Sequence, residues 1–246
     1  MAALSQTVGG ESKTEFSLPG SESQAAFDLF KSTAKPETSV TFEAGLRTSR
    51  SLDIGPLTGF DGQVNLYHVN FKDRLLTISP TPVISSIIGG NPVLANVGNV
   101  KIDGIDMSGT FHFGRAFSFY DAISYNRSEY KDNYLNGANT VPTAGKKIPG
   151  SPEWMNKFVA SLNLGATEFQ LSGDYVGKRY ATYTNDLSVS SYFLLGLGIS
   201  GKLPFLDGGW VKNARYRVNV TNLADRRGAL NVVVGAADKT YNTFPI

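Results

Sequence analysis

The sequence predicts an all-β fold of about eight antiparallel strands, on three observations. Beyond Thr38, apolar and polar residues alternate with a period of two along most of the chain. The joints between the alternating segments are by turns shorter and longer. Charged residues make up 18% of the 246 residues and aromatics 11%, and there are 26 glycines. Few charges with many aromatics and glycines suit long strands and tight turns better than a helical enzyme.

Residues 1–36 read as a loop-like leader. It contains one short helix over Ser23 to Ala34, where Ala26, Phe27 and Phe30 share a face. The first strand, Ser39 to Arg47, sets Val40, Phe42, Ala44 and Leu46 on one side and Thr41, Glu43 and Arg47 on the other. A second, about Gly62 to Leu75, alternates less cleanly and leaves its register open. The third, Ile105 to Phe113, opposes Ile105, Met107, Phe111 and Phe113 to Asp106, Ser108, Thr110 and His112. The fourth, about Phe117 to Tyr130, again has no clear register. Phe158 to Gly165 and Phe169 to Tyr175 follow, the latter with Gln170, Ser172 and Asp174 on its polar side. Phe193 to Ile199 opposes large apolar residues to Leu194, Gly196 and Gly198. Arg215 to Thr221 completes the set, with Tyr216, Val218 and Val220 against Arg215, Arg217, Asn219 and Thr221. Side chains two apart share a face of a strand, so each segment carries one apolar and one polar row.

A sandwich with one wet face and a barrel with lipid outside both produce such rows. The joints near 48–60, 114–116, 165–167 and 203–212 are shorter, and those near 76–97, 131–154 and 181–190 are mostly longer. Bacterial outer-membrane barrels have short periplasmic turns and longer outside loops, whereas a sandwich has no reason to sort loops by parity. In the six clean strands the apolar side carries no charge, while Glu43, Arg47, Asp106, Asp174, Arg215 and Arg217 lie on the other. A Lys or Arg facing mid-bilayer lipid costs about 2–4 kcal/mol. The expected fold is therefore an antiparallel transmembrane β-barrel, partial, with about eight strands of a larger barrel over residues 37–246 and no plug domain. With the long loops outside, the chain enters its first strand and leaves its eighth on the loop side. Complete barrels ordinarily start and finish on the periplasmic side, so the reading frame is expected to continue at both ends.

Other chemistry finds little support. Net charge is +2 without a basic stripe, which argues against a nucleic-acid partner. Cysteine is absent, which excludes a disulfide framework, a thiolate metal site and a Cys nucleophile. The opening MAALSQTVGGESKTEF lacks the basic start and apolar run of a signal peptide, and no stretch reaches the length of a membrane helix. The run GLGISG (196–201) has the spacing of a dinucleotide fingerprint, but its glycines fall inside one strand with no helix to follow. They read instead as small polar-face residues that let another backbone approach. His68 and His112 sit on separate strands without metal-ligand spacing. No catalytic, cofactor or metal site is assigned. The six charged residues named above are lumen-facing candidates, and Tyr134 and Tyr183, the outermost of a loop-side cluster with Tyr125, Tyr130, Tyr175 and Tyr180, are candidates for ligand contact. The cluster as a whole, these two included, reads first as an aromatic girdle at the lipid headgroups, and the apolar loop 76–97 as packing against its neighbours.

Five motifs, in order, carry a family resemblance. Lys35-Pro36-Glu37-Thr38 with TFEAGLR (41–47) resembles the "KPE…E-x-G-x-R/K" strand start of TonB-dependent receptor barrels. YHVNFKDRL (67–75) is similar to their "F-Y-x-x-x-x-K-D-x-L" strand. NVGNVKIDGIDM (96–107) resembles "N-x-G-x-x-x-x-x-G-x-E", with Asp106 where Glu is commoner. IPGSPEWMNKF (148–158) resembles the "P-x-x-P" loop exit, and VNVTNLADRR (218–227) the "V-x-N-L-F-D-x-x-Y" strand, with Ala224 where Phe is usual. The resemblance implies the barrel part of an active importer of siderophore, vitamin or carbohydrate ligands, a barrel of about 22 strands with a plugged lumen, not an enzyme. It implies the outer membrane of a Gram-negative bacterium, and as partners outer-membrane lipid, a plug domain, a TonB-type energy-transducing complex and a small ligand such as an iron-siderophore. An extracellular β-sandwich adhesion or carbohydrate-binding module and a passive porin-like channel are the alternatives.

Overall fold

The computed structural model describes residues 35–78, 93–136, 139–204, 208, 210, 212–233 and 242–245. The leader helix expected over Ser23 to Ala34 lies outside them, as do residues 79–92 of the long apolar loop. Eight strands form one antiparallel sheet: β1 Thr38–Ile54, β2 Leu57–Lys72, β3 Val100–Phe113, β4 Phe117–Tyr130, β5 Trp154–Leu164, β6 Thr167–Val176, β7 Tyr192–Lys202 and β8 Arg215–Val220. Each strand pairs with its neighbour in sequence, so the sheet is an uninterrupted meander with β1 and β8 at its edges. This is a segment of barrel wall rather than a closed barrel. No α-helix occurs among the described residues, and none is long and apolar enough to cross a membrane.

The turns follow from their glycines. Gly55–Pro56 and Gly165–Ala166 join strands through two residues, and both glycines adopt positive φ, 56° and 61°. Glycine at the first central position with positive φ matches the II′ hairpin turn, whose twist continues that of the flanking strands. The joint expected over 48–60 is thus only two residues long, because β1 and β2 run on to the turn and pair as far as Ile54 and Leu57. Segments 73–99, 131–153 and 177–191 connect the opposite ends. They carry short ribbons, Leu75–Ile78 with Val93–Asn96, Tyr134–Asn136 with Asn139–Val141, and Arg179–Tyr180 with Ser188–Val189.

Register fixes the faces, since directly paired residues project to the same side. Leu46 pairs with Val64 and Val64 with Met107, while Met107 pairs with Ile123. The apolar row then continues through Phe158, Leu171 and Leu197 on later strands. Among the described residues no second layer covers it: Phe42 is 65%, Leu46 69% and Leu164 56% exposed. A sandwich would bury this row, so the sandwich alternative is set aside. Among the described residues a compact core instead sits at the long-loop end, where Val97, Val100, Tyr130, Tyr134 and Tyr183 pack with Phe71, Ile102, Val141 and Ile148.

Candidate functional site

The candidate site is the polar face of the sheet. Glu43 and Arg47 of β1, Asp106 of β3 and Asp174 of β6 line one trough of about 800 Å³, together with Gln63, Asn65, Tyr120 and Lys157. Arg215 and Arg217 of β8 line a second hollow of about 410 Å³ with Glu168 and Lys202. All six charged residues expected on this side therefore share one face, in two groups. Alternation explains it: each precedes or follows an apolar-row residue by one position.

The trough is internally bonded in part. Ser124 Oγ donates to Asp106 Oδ1 across the β3–β4 pair. Lys157 Nζ lies 3.5 Å from Asp174 Oδ1, its direct partner in register. The Tyr67 ring lies against Gly104, where a Cβ would collide with it, and Asn126 Nδ2 donates to the Tyr67 hydroxyl at 3.0 Å. Near the short-turn end His112 Nε2 is 2.8 Å from Asp61 Oδ2. Lys157, Glu168 and the Asp61–His112 pair escape sequence reading. Lys157 precedes the first residue of its predicted strand, and Asp61 falls between the joint predicted over 48–60 and the strand predicted from about Gly62.

The GLGISG glycines lie inside β7, where a Cβ on Gly196 would meet Ser172 Oγ at 2.6 Å and one on Gly198 would meet Asn219 Oδ1 at 3.1 Å. Their use is close approach between strands. Among the described residues no group of three or more His, Cys, Asp or Glu is placed to hold a metal ion. The face offers mixed charge, amide and hydroxyl groups spread along a wall, a surface for contact with a solute or another polar protein surface.

Tyr134 and Tyr183 belong to the loop-end core, at 2% and 7% exposure. Their ring centroids are 6.0 Å apart, and Tyr130 packs edge-on to Tyr183 at 6.3 Å. Burial pushes the Tyr183 hydroxyl up to about 12 and raises that of Tyr134. As folded these rings serve packing, and Tyr130, Tyr134 and Tyr183 do not form the expected girdle. Tyr125 does stand on the apolar face, 4.7 Å from the Trp154 ring.

The apolar face also carries charges that alternation in the clean strands does not reveal. At its loop end Asp103 accepts from Lys101 at 2.8 Å and lies 2.6 Å from His68 Nδ1, and Arg127 pairs with Glu129. Nearer the short-turn end of the same face stand Arg50 on β1 and Asp121 on β4.

A meander of long antiparallel strands with one apolar and one polar face, short turns at one end and long loops at the other, defines a membrane β-barrel wall. Residues 12–223 match the profile of the TonB dependent receptor-like, beta-barrel family, and the chain belongs to that family, one of receptors and transporters found in outer membranes. No curated protein sequence matches the chain. Among solved structures it is similar to the ferric yersiniabactin uptake receptor FyuA from Yersinia pestis, at 19% identity and TM-score 0.58, over 85% of this chain and 28% of that one. The ferric citrate transporter FecA in its unliganded form gives 16% identity and TM-score 0.61, over 86% and 30%. The siderophore receptor PiuA from Acinetobacter baumannii gives 17% and 0.58, over 84% and 26%. The chain thus spans under a third of the length of each.

Proposed function

We propose that this chain forms a stretch of the wall of an outer-membrane, TonB-dependent importer, with its apolar row against lipid and its polar trough against the lumen. One observation carries the reading: an uncovered apolar row alternates with a polar row across all eight strands. In hydrocarbon every backbone polar group needs a partner, so β1 and β8 pair with further strands of the same barrel in the membrane. Glu43, Arg47, Asp106 and Asp174, with Arg215 and Arg217, then face a plug domain and the solute path. Iron-siderophores, vitamins or carbohydrates are the cargo classes, drawn in by a TonB-type complex acting on the plug. The siderophore receptors among the similar structures favour the first class.

Uptake assays test this. Cells with and without the gene are offered a ferric siderophore panel, cobalamin and oligosaccharides, each with and without a protonophore. Loss of one uptake on deletion, and its abolition by the protonophore, is the expected result. Uptake that persists without the proton gradient would make the barrel a passive channel.

A further inference from the structure

We infer that the apolar face over β1–β4 is a contact between two copies of this protein within the membrane, held by reciprocal Arg50–Asp121 pairs. The inference rests on that face being the lipid-facing one. Arg50 pairs in register with Phe60 and Asp121 with Phe158, so both project among apolar residues. On β4 the outward positions run Phe117, Phe119, Asp121, Ile123 and Tyr125, which puts the carboxylate in the middle of the apolar row. Asn156 Nδ2 donates to Asp121 Oδ1 at 2.7 Å, which leaves Oδ2 for another donor. Among the described residues Arg50 makes no ion pair. An unpaired Arg facing lipid costs from about 0–1 kcal/mol near the interface up to about 2–4 kcal/mol at the bilayer midplane, so a partner charge at its depth stabilises it.

The two charges have the geometry a two-fold contact requires. Two copies inserted the same way are related by an axis along the membrane normal, and each residue meets its counterpart's partner reciprocally. Arg50 must then lie at the same depth as Asp121. Arg50 is five residues before Gly55 and Asp121 five residues after Ala116, each counted from a short turn at the same end of the sheet. Three strand spacings separate them, about 14 Å. Midway lies a groove of about 390 Å³, lined by Leu46, Phe60, Gly62, Met107 and Gly109 and bounded by Asp121. The Phe60 ring lies flat along Gly62 and Gly109, where side chains would displace it. The axis passes through this groove, and the low relief lets two sheets approach.

The chain has no cysteine, so single-cysteine variants report one position each in the native membrane. Met107→Cys, 41% exposed beside the groove, is expected to give an oxidised dimer, and Leu171→Cys, on β6 away from the axis, is not. Leu171→Cys is expected to react with a lipid-soluble maleimide. If it reacts only with a water-soluble one, the lipid-facing reading fails, independently of the dimer. In the Met107→Cys background, Arg50→Asp or Asp121→Arg alone sets like charges together and is expected to cut the dimer at least roughly thirtyfold, the effect of losing one member of a desolvated pair. The two together restore it, a rescue that loss of folding does not produce. A Met107→Cys protein that reacts with the lipid-soluble reagent yet stays monomeric overturns the inference.

Discussion

Tyr183 shows how a single side chain ties the loop end together. Its hydroxyl is neutral when buried, and desolvation raises its pKa from the ordinary 10 to about 12. Between those values the folded protein keeps a proton that the unfolded chain releases, so stability falls as pH rises. The contribution is whole below pH 10 and is lost as pH climbs to about 12. Titrating tyrosinate absorbance should show a late-ionising hydroxyl near 12 that vanishes in Tyr183→Phe. Its absence from wild type would mean the ring is not enclosed. Gly104 makes a second test at this scale, since a side chain there would strike the Tyr67 ring. Gly104→Val should cost about 1–3 kcal/mol, read as a lower urea midpoint, and Tyr67→Ala should recover part of it.

At the scale of the element, all eight strands were legible because one apolar row faces no second layer, which leaves a clean two-residue period. The strands whose register stayed open, β2 and β4, carry polar residues in the apolar row inside the spans read from the sequence: His68 and Asn70 on β2, Asp121 and Arg127 on β4. Strand ends were less legible. Thr48–Ile54 continues β1 with Ser, Arg and Asp residues near a sheet edge, where little burial selects apolar side chains, and only the Gly55–Pro56 dipeptide marks the turn. The site's charges were legible for the same reason as the strands. Their partners were not, because pairing depends on register: Lys157 faces Asp174 only once β5 and β6 are aligned. Turn geometry yields a direct check. Gly165 has φ of 61° with nothing within 4 Å of a would-be Cβ, so Gly165→Val should cost about 1–2 kcal/mol from backbone strain alone. Leu197→Pro, in a strand paired on both sides to Leu171 and Val220, should do far more. It removes a ladder bond that hydrocarbon cannot replace, and heat-modifiable folded protein should disappear on gels.

For the whole molecule, apolar residues are divided unusually. The compact core lies at the loop end, while the largest apolar surface stays uncovered along the sheet. A water-soluble protein does not leave such a surface facing solvent, whereas a barrel wall meets lipid there. The tyrosine candidates show where sequence stops short. Loop-side aromatics suit ligand contact, a girdle or packing equally in a string of letters, and only the fold that brings 131–153 against 177–191 selects packing. One measurement bears on the central division most directly. Fluorophores attached singly at Leu162→Cys and Gln170→Cys, on adjacent strands but opposite faces, are compared in the native membrane. Nitroxide-bearing lipid should quench the probe at 162 and aqueous iodide the probe at 170. Equal quenching of both positions by iodide, with none by lipid, would contradict the account.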